Sequence, residues 1–387
     1  MYPNLYYAFK DLFGVEWKSL RFVNSFGFFV AIAFILAAVI LVAELRRKSK
    51  QGLLQPTEMQ ITVGQPATAS ELLLNFLLGF LLGYKILALF IMNSAATEDP
   101  QAFIFSTVGS WPTGIILGLL FAGLKWWDKN KQKLAKPEKR TVRIWPQDRV
   151  GEITIIALVF GLLGAKLFDI FENWGDFLKR PSDYIFSPSG LTFYGGLICA
   201  ALAIWWYAKN HKIGFWHLND AAAPALMLAY AVGRIGCQVS GDGDWGIANT
   251  NPKPFSWLPD WMWGYTYPHN VNEIGDRIPG CIGKFCNELP QPHYPTPFYE
   301  TIVCLILFGI LWSVRKKLKI PGTLFALYLM LNGIERFMIE KIRVNTKIHI
   351  FGFEPTQAEI ISTLLFLTGA VLWFVLRRRA LAKKSTA

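Results

Sequence analysis

Charge is scarce in this chain. Aspartate, glutamate, lysine and arginine make up only 17% of its 387 residues, against 53% hydrophobic and 15% aromatic. An ordinary soluble domain carries about a quarter charged residues, so that class is excluded. A separate secretory signal is not expected either. The first 20 residues lack a basic start and a short apolar core, and the first apolar run is already long enough to span a bilayer. Cysteines are few, five in all. Cys199, Cys237 and Cys304 lie in or beside apolar runs and read as small hydrophobic residues. Cys281 and Cys286 lie in the polar stretch "CIGKFC". A second ligand pair is missing, which disfavours a metal site, and a disulfide is expected if that loop lies outside.

Long apolar runs are what the chain has in abundance. Roughly 20 apolar residues cross the hydrocarbon core. Nine candidate spans follow, at about 21–44, 71–93, 104–126, 150–171, 190–208, 219–239, 297–314, 321–341 and 356–376. Each should be a helix, because lipid offers the backbone no hydrogen-bond partners. The expected fold is an all-α polytopic membrane protein. The formal net charge of +12 could suggest nucleic acid, but its distribution suggests membrane orientation. Basic segments follow every odd span: "RRKSK", "KNKQKLAKPEKRTVR", "KNHK", "RKKLK" and "RRRALAKK". They hold more than half of the 39 lysines and arginines. The N-terminus is therefore expected outside and the C-terminus in the cytoplasm. Residues 1–20 form an outer interfacial arm, 21–50 the first core helix, and 377–387 a basic cytoplasmic tail. The 241–296 loop, with its cysteine pair, is then outside.

One segment occurs twice. Residues 71–114 match 152–195 without a gap at 13 of 44 positions. Shared leucines would follow from composition alone. Lys85 and Lys166, Gly83 and Gly164, the "IFS" runs, Gly109 and Gly190, and Gly114 and Gly195 do not. A duplicated two-helix hairpin is expected. The first copy has Thr113 and Ile115 where the second has Tyr194 and Gly196, so the first should be structural.

Polar residues collect at one level of this arrangement. "LTFYGGL" (Leu191 to Leu197), Arg234, "YPTPFYE" (Tyr294 to Glu300) and "NGIERFMIEKIRVN" (Asn332 to Asn345) all fall at outer ends of spans. Lys166 and Asp169 join them as an i, i+3 pair. Asn332, Arg336, Glu340 and Arg343 are spaced by 4, 4 and 3, one stripe of a helix. Such a stripe is either a buried ion pair that knits helices or an anion site whose arginines a glutamate orients. Arg234 favours the second. The glycines Gly195 and Gly196 serve either helix packing or close approach of a substrate. "GRIGCQVSGDGDWG" follows Arg234 with carboxylates at Asp242 and Asp244, either solvated or placed to order that arginine or to take a proton. Tyr299 and Glu300 either cap their helix or belong to the site. A lone His293 in a loop reads as incidental.

In this order the segments resemble the prolipoprotein diacylglyceryl transferase family. "GRIGCQVSGDGDWG" is similar to G-R-I/L-G-N-F-x-N-G-E-x-W-G, "LTFYGGL" to S-F-H-G-G-L, "YPTPFYE" to H-P-S/T-Q-L-Y-E, and "NGIERFMIE" with Arg343 to G-x-x-R-F-x-x-E-x-x-R. The resemblance covers the first span and then about 150 to 376. It implies a seven-helix core with 60–148 as an inserted two-helix hairpin, and 149–376 as the catalytic body. It also implies transfer of a diacylglyceryl group from phosphatidylglycerol to the lipobox cysteine thiol of a preprolipoprotein, at the periplasmic side of the inner membrane. The implied partners are that phospholipid, the lipobox segment and membrane lipid, with no nucleic acid. Neither a cofactor nor a metal is called for. The implied catalytic residues are Tyr194, Arg234, Arg336 and Glu340. The implied substrate-binding residues are Gly195, Gly196, Gly233, Gly236, Asp242, Tyr299, Glu300 and Arg343.

The departures from the pattern matter. The family histidine is Tyr194 here, and a tyrosine with an ordinary pKa of about 10 is a poor base near neutral pH. The family asparagine is Cys237, and one residue is added before Trp245. A non-catalytic relative that binds anionic lipid or signal segments is the alternative. A transporter fits less well, because the polar residues gather at one face rather than at mid-membrane.

Overall fold

The structure is a computed structural model that describes residues 1–91, 103, 106–186, 192–345, 348–349 and 354–385. The openings of the third and fifth expected spans at 104–105 and 190–191, the end of the second at 92–93, and Leu191 and Gly190 of the motifs lie outside the described residues.

After a short amphipathic helix α1 (Leu5–Phe13), helix α2 (Ser25–Lys50) runs 26 residues. Asn24 caps it by accepting the N–H of Phe26 at 2.8 Å, and Arg47, Lys48 and Lys50 lie at its end. Strand β1 (Thr57–Val63), helix α3 (Ala69–Leu81), helix α4 (Trp111–Lys131) and strand β2 (Glu138–Ile144) follow. The chain continues as α5 (Val150–Glu172), α6 (Phe193–Asn210), α7 (Phe215–Ser240), strands β3 (Asp276–Arg277) and β4 (Asn287–Glu288), α8 (Thr296–Val314), α9 (Thr323–Glu340) and α10 (Gln357–Ser385). Among the described residues, six helical stretches are long and apolar enough to cross a membrane: Ser25–Lys50, Ala69–Leu87, Pro146–Glu172, Phe215–Ser240, Thr296–Val314 and Gln357–Ala382. The other three expected spans correspond to helices α4, α6 and α9. Helix α9 falls outside the six because Glu335, Arg336 and Glu340 interrupt its apolar run.

Helix α7 is the centre of the body. One apolar cluster joins its Leu218 and Ala221 to Leu45 of α2, Val150 of α5 and Ala208 of α6. A second joins its Ala223 and Met227 to Cys304 and Leu311 of α8 and Leu324 of α9. Buried Asp220 of α7 accepts the backbone N–H groups of Gly322 and Phe325, at 2.9 and 3.0 Å, and so caps α9. Lys48 of α2 faces the same carboxylate at 3.4 Å.

The two hairpins are built alike. A Cβ on Gly83 would lie 2.3 Å from the Thr113 carbonyl oxygen, and one on Gly164 would lie 2.6 Å from that of Gly195. Register-matched glycines thus bring both helix pairs together. Helices alone are expected from hydropathy, but two short antiparallel ribbons are present as well. In the larger, Thr57 pairs with Ile144 and Val63 with Glu138. These strands are polar and partly β-branched, so a search for apolar runs does not register them. They tie together the two ends of the α3–α4 hairpin.

The 241–296 segment folds over one end of α7. Tyr267 is fully buried against Trp245 and Leu289, and Cys281 is joined to Cys286. The N-terminal arm packs here too: Tyr2 donates its N–H to Val239 at 2.8 Å.

Gly83→Val should force α3 from α4 and speed hydrogen exchange in 69–91 and 111–131, while α7 stays protected. Unchanged exchange in the hairpin would contradict the described packing.

Candidate functional site

Four segments meet around one carboxylate. Glu300 stands in the second turn of α8 and is completely buried. Its Oε2 lies 2.8 Å from Nε of Arg234, and its Oε1 accepts from Nη1 of Arg343 at 3.1 Å. Nη1 of Arg336 is 3.8 Å from Oε2. The Tyr230 hydroxyl donates to the same oxygen. A buried carboxylate survives only when compensated, and here three guanidiniums share that task.

The next ring holds the arginines in place. Arg336 also meets Glu340, one turn on, at 3.1 Å. Asn345 donates to the other Glu340 oxygen at 2.6 Å. Asp244 bridges Arg234 and Arg343 with its two oxygens. Gly241 makes this possible by ending α7 in a left-handed conformation, φ 64°. Gly246 then lets the turn reach the 342–343 backbone, since a Cβ there would lie 2.4 Å from the Ile342 carbonyl oxygen. Ile247 donates its N–H to that same oxygen at 2.8 Å. Thr296 donates to the Asp244 carbonyl oxygen at 2.6 Å. Tyr194, in the first turn of α6, has Arg336 and Glu340 as its charged neighbours.

Several expected residues serve other ends. Gly195 and Gly196 do not open space for a substrate: Cβ atoms there would strike Phe168 at 2.3 Å and the Gly161 carbonyl oxygen at 2.7 Å, so they pack α6 on α5. Gly236 likewise admits α2, with Phe29 Cβ at 3.1 Å, whereas Gly233 has open space beside it. Asp242 does not reach an arginine by ion pair among the described residues. It accepts the Asp244 N–H at 3.3 Å, and it is Asp244 that bridges the arginines. Tyr299 donates to the Met262 carbonyl oxygen at 2.7 Å and anchors the loop. His293 bonds the Gly246 carbonyl oxygen at 2.6 Å, so it orders the turn rather than being incidental. Lys166 and Asp169 form the expected helix pair at 3.6 Å.

The comparison with known families bears on this constellation. The model of the prolipoprotein diacylglyceryl transferase family matches residues 110–375. The chain belongs to that family. It is 30% identical over 284 residues to the phosphatidylglycerol–prolipoprotein diacylglyceryl transferase of Dehalococcoides mccartyi, covering 73% of this chain and 94% of that protein. It is 27% identical over 285 residues to the enzyme of that name from Leptospira interrogans, covering 61% and 81%. The family match begins at 110, so it takes in α4, which the motif resemblance left outside, and does not reach the first span, which the resemblance included. In the fold, α4 packs on α3, and it is α2 that lies along α7. All four arginine-cluster segments fall within the match.

The loop carboxylates differ in their acid–base setting. Burial and the neighbouring Asp244 raise the Asp242 pKa. Burial would raise that of Asp244 too, but Arg234 and Arg343 outweigh it, and the net shift is down. A depressed folded pKa stabilises above the usual carboxylate range, and that contribution fades as pH falls through it. A raised one costs stability at neutral pH and is relieved by acid. Asp244→Asn should therefore lower the unfolding temperature at neutral pH, and Asp242→Asn should hold or raise it, with both effects shrinking toward acid in detergent melts. Glu300→Ala leaves three arginines short of their partner and should cost about 3–5 kcal/mol by the same measurement.

Proposed function

We propose that this chain transfers a diacylglyceryl group from phosphatidylglycerol to the lipobox cysteine thiol of prolipoproteins, releasing glycerol phosphate. The observation that carries the reading is the convergence of Arg234, Arg336 and Arg343 on one site from three separate segments. The group that departs is a phosphate, and a guanidinium fork holds phosphate in two directions while staying charged. Arg234 and Arg336 bind it and offset charge that builds on the leaving oxygen. Glu300 and Glu340 orient them, and Arg343 completes the cluster. Asp244, a third exposed, stands at the open side. The Tyr194 hydroxyl, beside Arg336, donates a hydrogen bond to the phosphate or lipid ester. The nucleophilic sulfur belongs to the acceptor, so no cysteine of this chain is needed.

The proposed setting is the bacterial inner membrane, with the site at the periplasmic face and the C-terminus in the cytoplasm. Nine helices cross, the two of the α3–α4 hairpin among them. The basic segments after odd spans support this, as does the disulfide in the 241–296 loop.

Purified protein in liposomes with phosphatidylglycerol should add one diacylglyceryl mass to a lipobox-cysteine peptide. Arg234→Ala and Arg336→Ala should each cut this by about 100-fold or more at unchanged membrane abundance. Near-normal transfer by either removes the phosphate assignment. Tyr194→Phe should slow transfer, and full activity would leave that tyrosine only a packing role. A folded wild-type protein that binds lipid and peptide yet transfers nothing would instead be a non-catalytic binding relative, the reading that the exchanged histidine favours.

A further inference from the structure

One buried carboxylate stands apart from the ion pairs above. Glu335, beside Arg336 in α9, is 5% exposed, and neither of its carboxylate oxygens accepts a well-formed hydrogen bond among the described residues, because the neighbouring Tyr230 hydroxyl is directed to Glu300. It lines a cavity of about 350 Å³ between α8 and α9. Glu300 lines the same cavity, and apolar side chains such as Val303, Leu331, Ile334 and Met338 form the other walls. Glu335 thus looks onto the arginine cluster from its apolar side. The charged and titratable groups facing it are Glu300 and Cys304 of α8, Tyr230 and Arg234 of α7, and Arg336 and Tyr328 of its own helix.

Among the described residues, the balance of charge leaves two carboxylates over, Asp242 in the loop and Glu335 within α9. Arg234, Arg336 and Arg343 are matched by Asp244, Glu300 and Glu340. Glu335 is a buried carboxylate with no ion pair of its own among the described residues, set against apolar walls. Such groups are rare in proteins and call for a reason. The proposed reaction has need of one, because the acceptor thiol must lose its proton. Arginines cannot accept it, Tyr194 is a weak base, Glu300 and Glu340 are committed to arginines, and Asp242 sits in the loop after α7, against the Asp244 N–H and outside the apolar cavity.

We infer that Glu335 is the proton acceptor for the substrate thiol, reached through the apolar cavity; this rests on the transferase reading. The Glu335 carboxylate takes the S–H proton as sulfur forms its bond to the glyceryl carbon. The carbon–oxygen bond to phosphate breaks with its electron pair on oxygen, and glycerol phosphate leaves. Glu335 then returns its proton to water.

The test compares two acceptor peptides, one with cysteine and one with selenocysteine, in phosphatidylglycerol liposomes holding the full-length protein. A selenol is already ionised at neutral pH and needs no base. Glu335→Gln should lose transfer to cysteine by about 100-fold or more, while transfer to selenocysteine stays within about fivefold of wild type. Equal losses on both acceptors, or retained cysteine transfer, overturn the assignment. Should Glu335→Gln fail to fold, Glu335→Asp decides: the withdrawn carboxylate should slow cysteine transfer at least about tenfold more than selenocysteine transfer, and equal slowing on both acceptors overturns the assignment. Wild-type protein that modifies neither peptide overturns the transferase reading itself, and this inference with it.

Discussion

A single buried carboxylate sets the terms for the rest of the molecule. Glu300 could not remain ionised without compensation, and its three guanidinium partners come from α7, α9 and the segment just after α9. The helices must therefore end at one level, or the charges would face lipid or one another. The glycine turn after Arg234 answers to the same demand. It carries Asp244 back between two arginines that would otherwise repel. Packing and electrostatics cannot be separated here, because the helix ends are placed by the charges that they carry.

Much of the fold is legible in the sequence, because hydropathy and the placement of basic residues are properties of single segments. Helices stand at each expected span among the described residues. The ribbon at the base of the hairpin is not legible this way, since its strands are short, polar and 75 or more positions apart in the chain. The membrane boundary of α9 is ambiguous for a chemical reason: the residues that matter most to the site are those that make the helix less apolar.

The candidate site is legible to the extent that one helix can display it. The spacing of Arg336, Glu340 and Arg343 is a local fact. That Glu300 receives arginines from three other segments is not, and a glutamate near a helix start could equally be a cap. Asp242 and Asp244 are two positions apart, and only the docking of Gly246 on the 342–343 backbone distinguishes them. Gly195 and Gly196 show the converse: a motif of small residues can mean an approaching ligand or an approaching helix, and here the helix has taken the space. Glu335 gave no signal at all, because a buried and unpartnered carboxylate looks in sequence like any polar residue in a helix.

The ribbon between Thr57–Val63 and Glu138–Ile144 has a consequence for how such a chain could be assembled. Antiparallel pairing from first residue to last makes the strands a neck, so the polypeptide leaves the body and comes back at nearly one point. Whatever hangs beyond that neck reverses no later segment and displaces no helix around α7. The hairpin is held at a second point as well, where its Ala88 and Phe90 pack on Phe22 ahead of α2. The neck thus fixes where the chain departs and returns, while Arg234, Glu300 and Arg343 are placed by segments outside it.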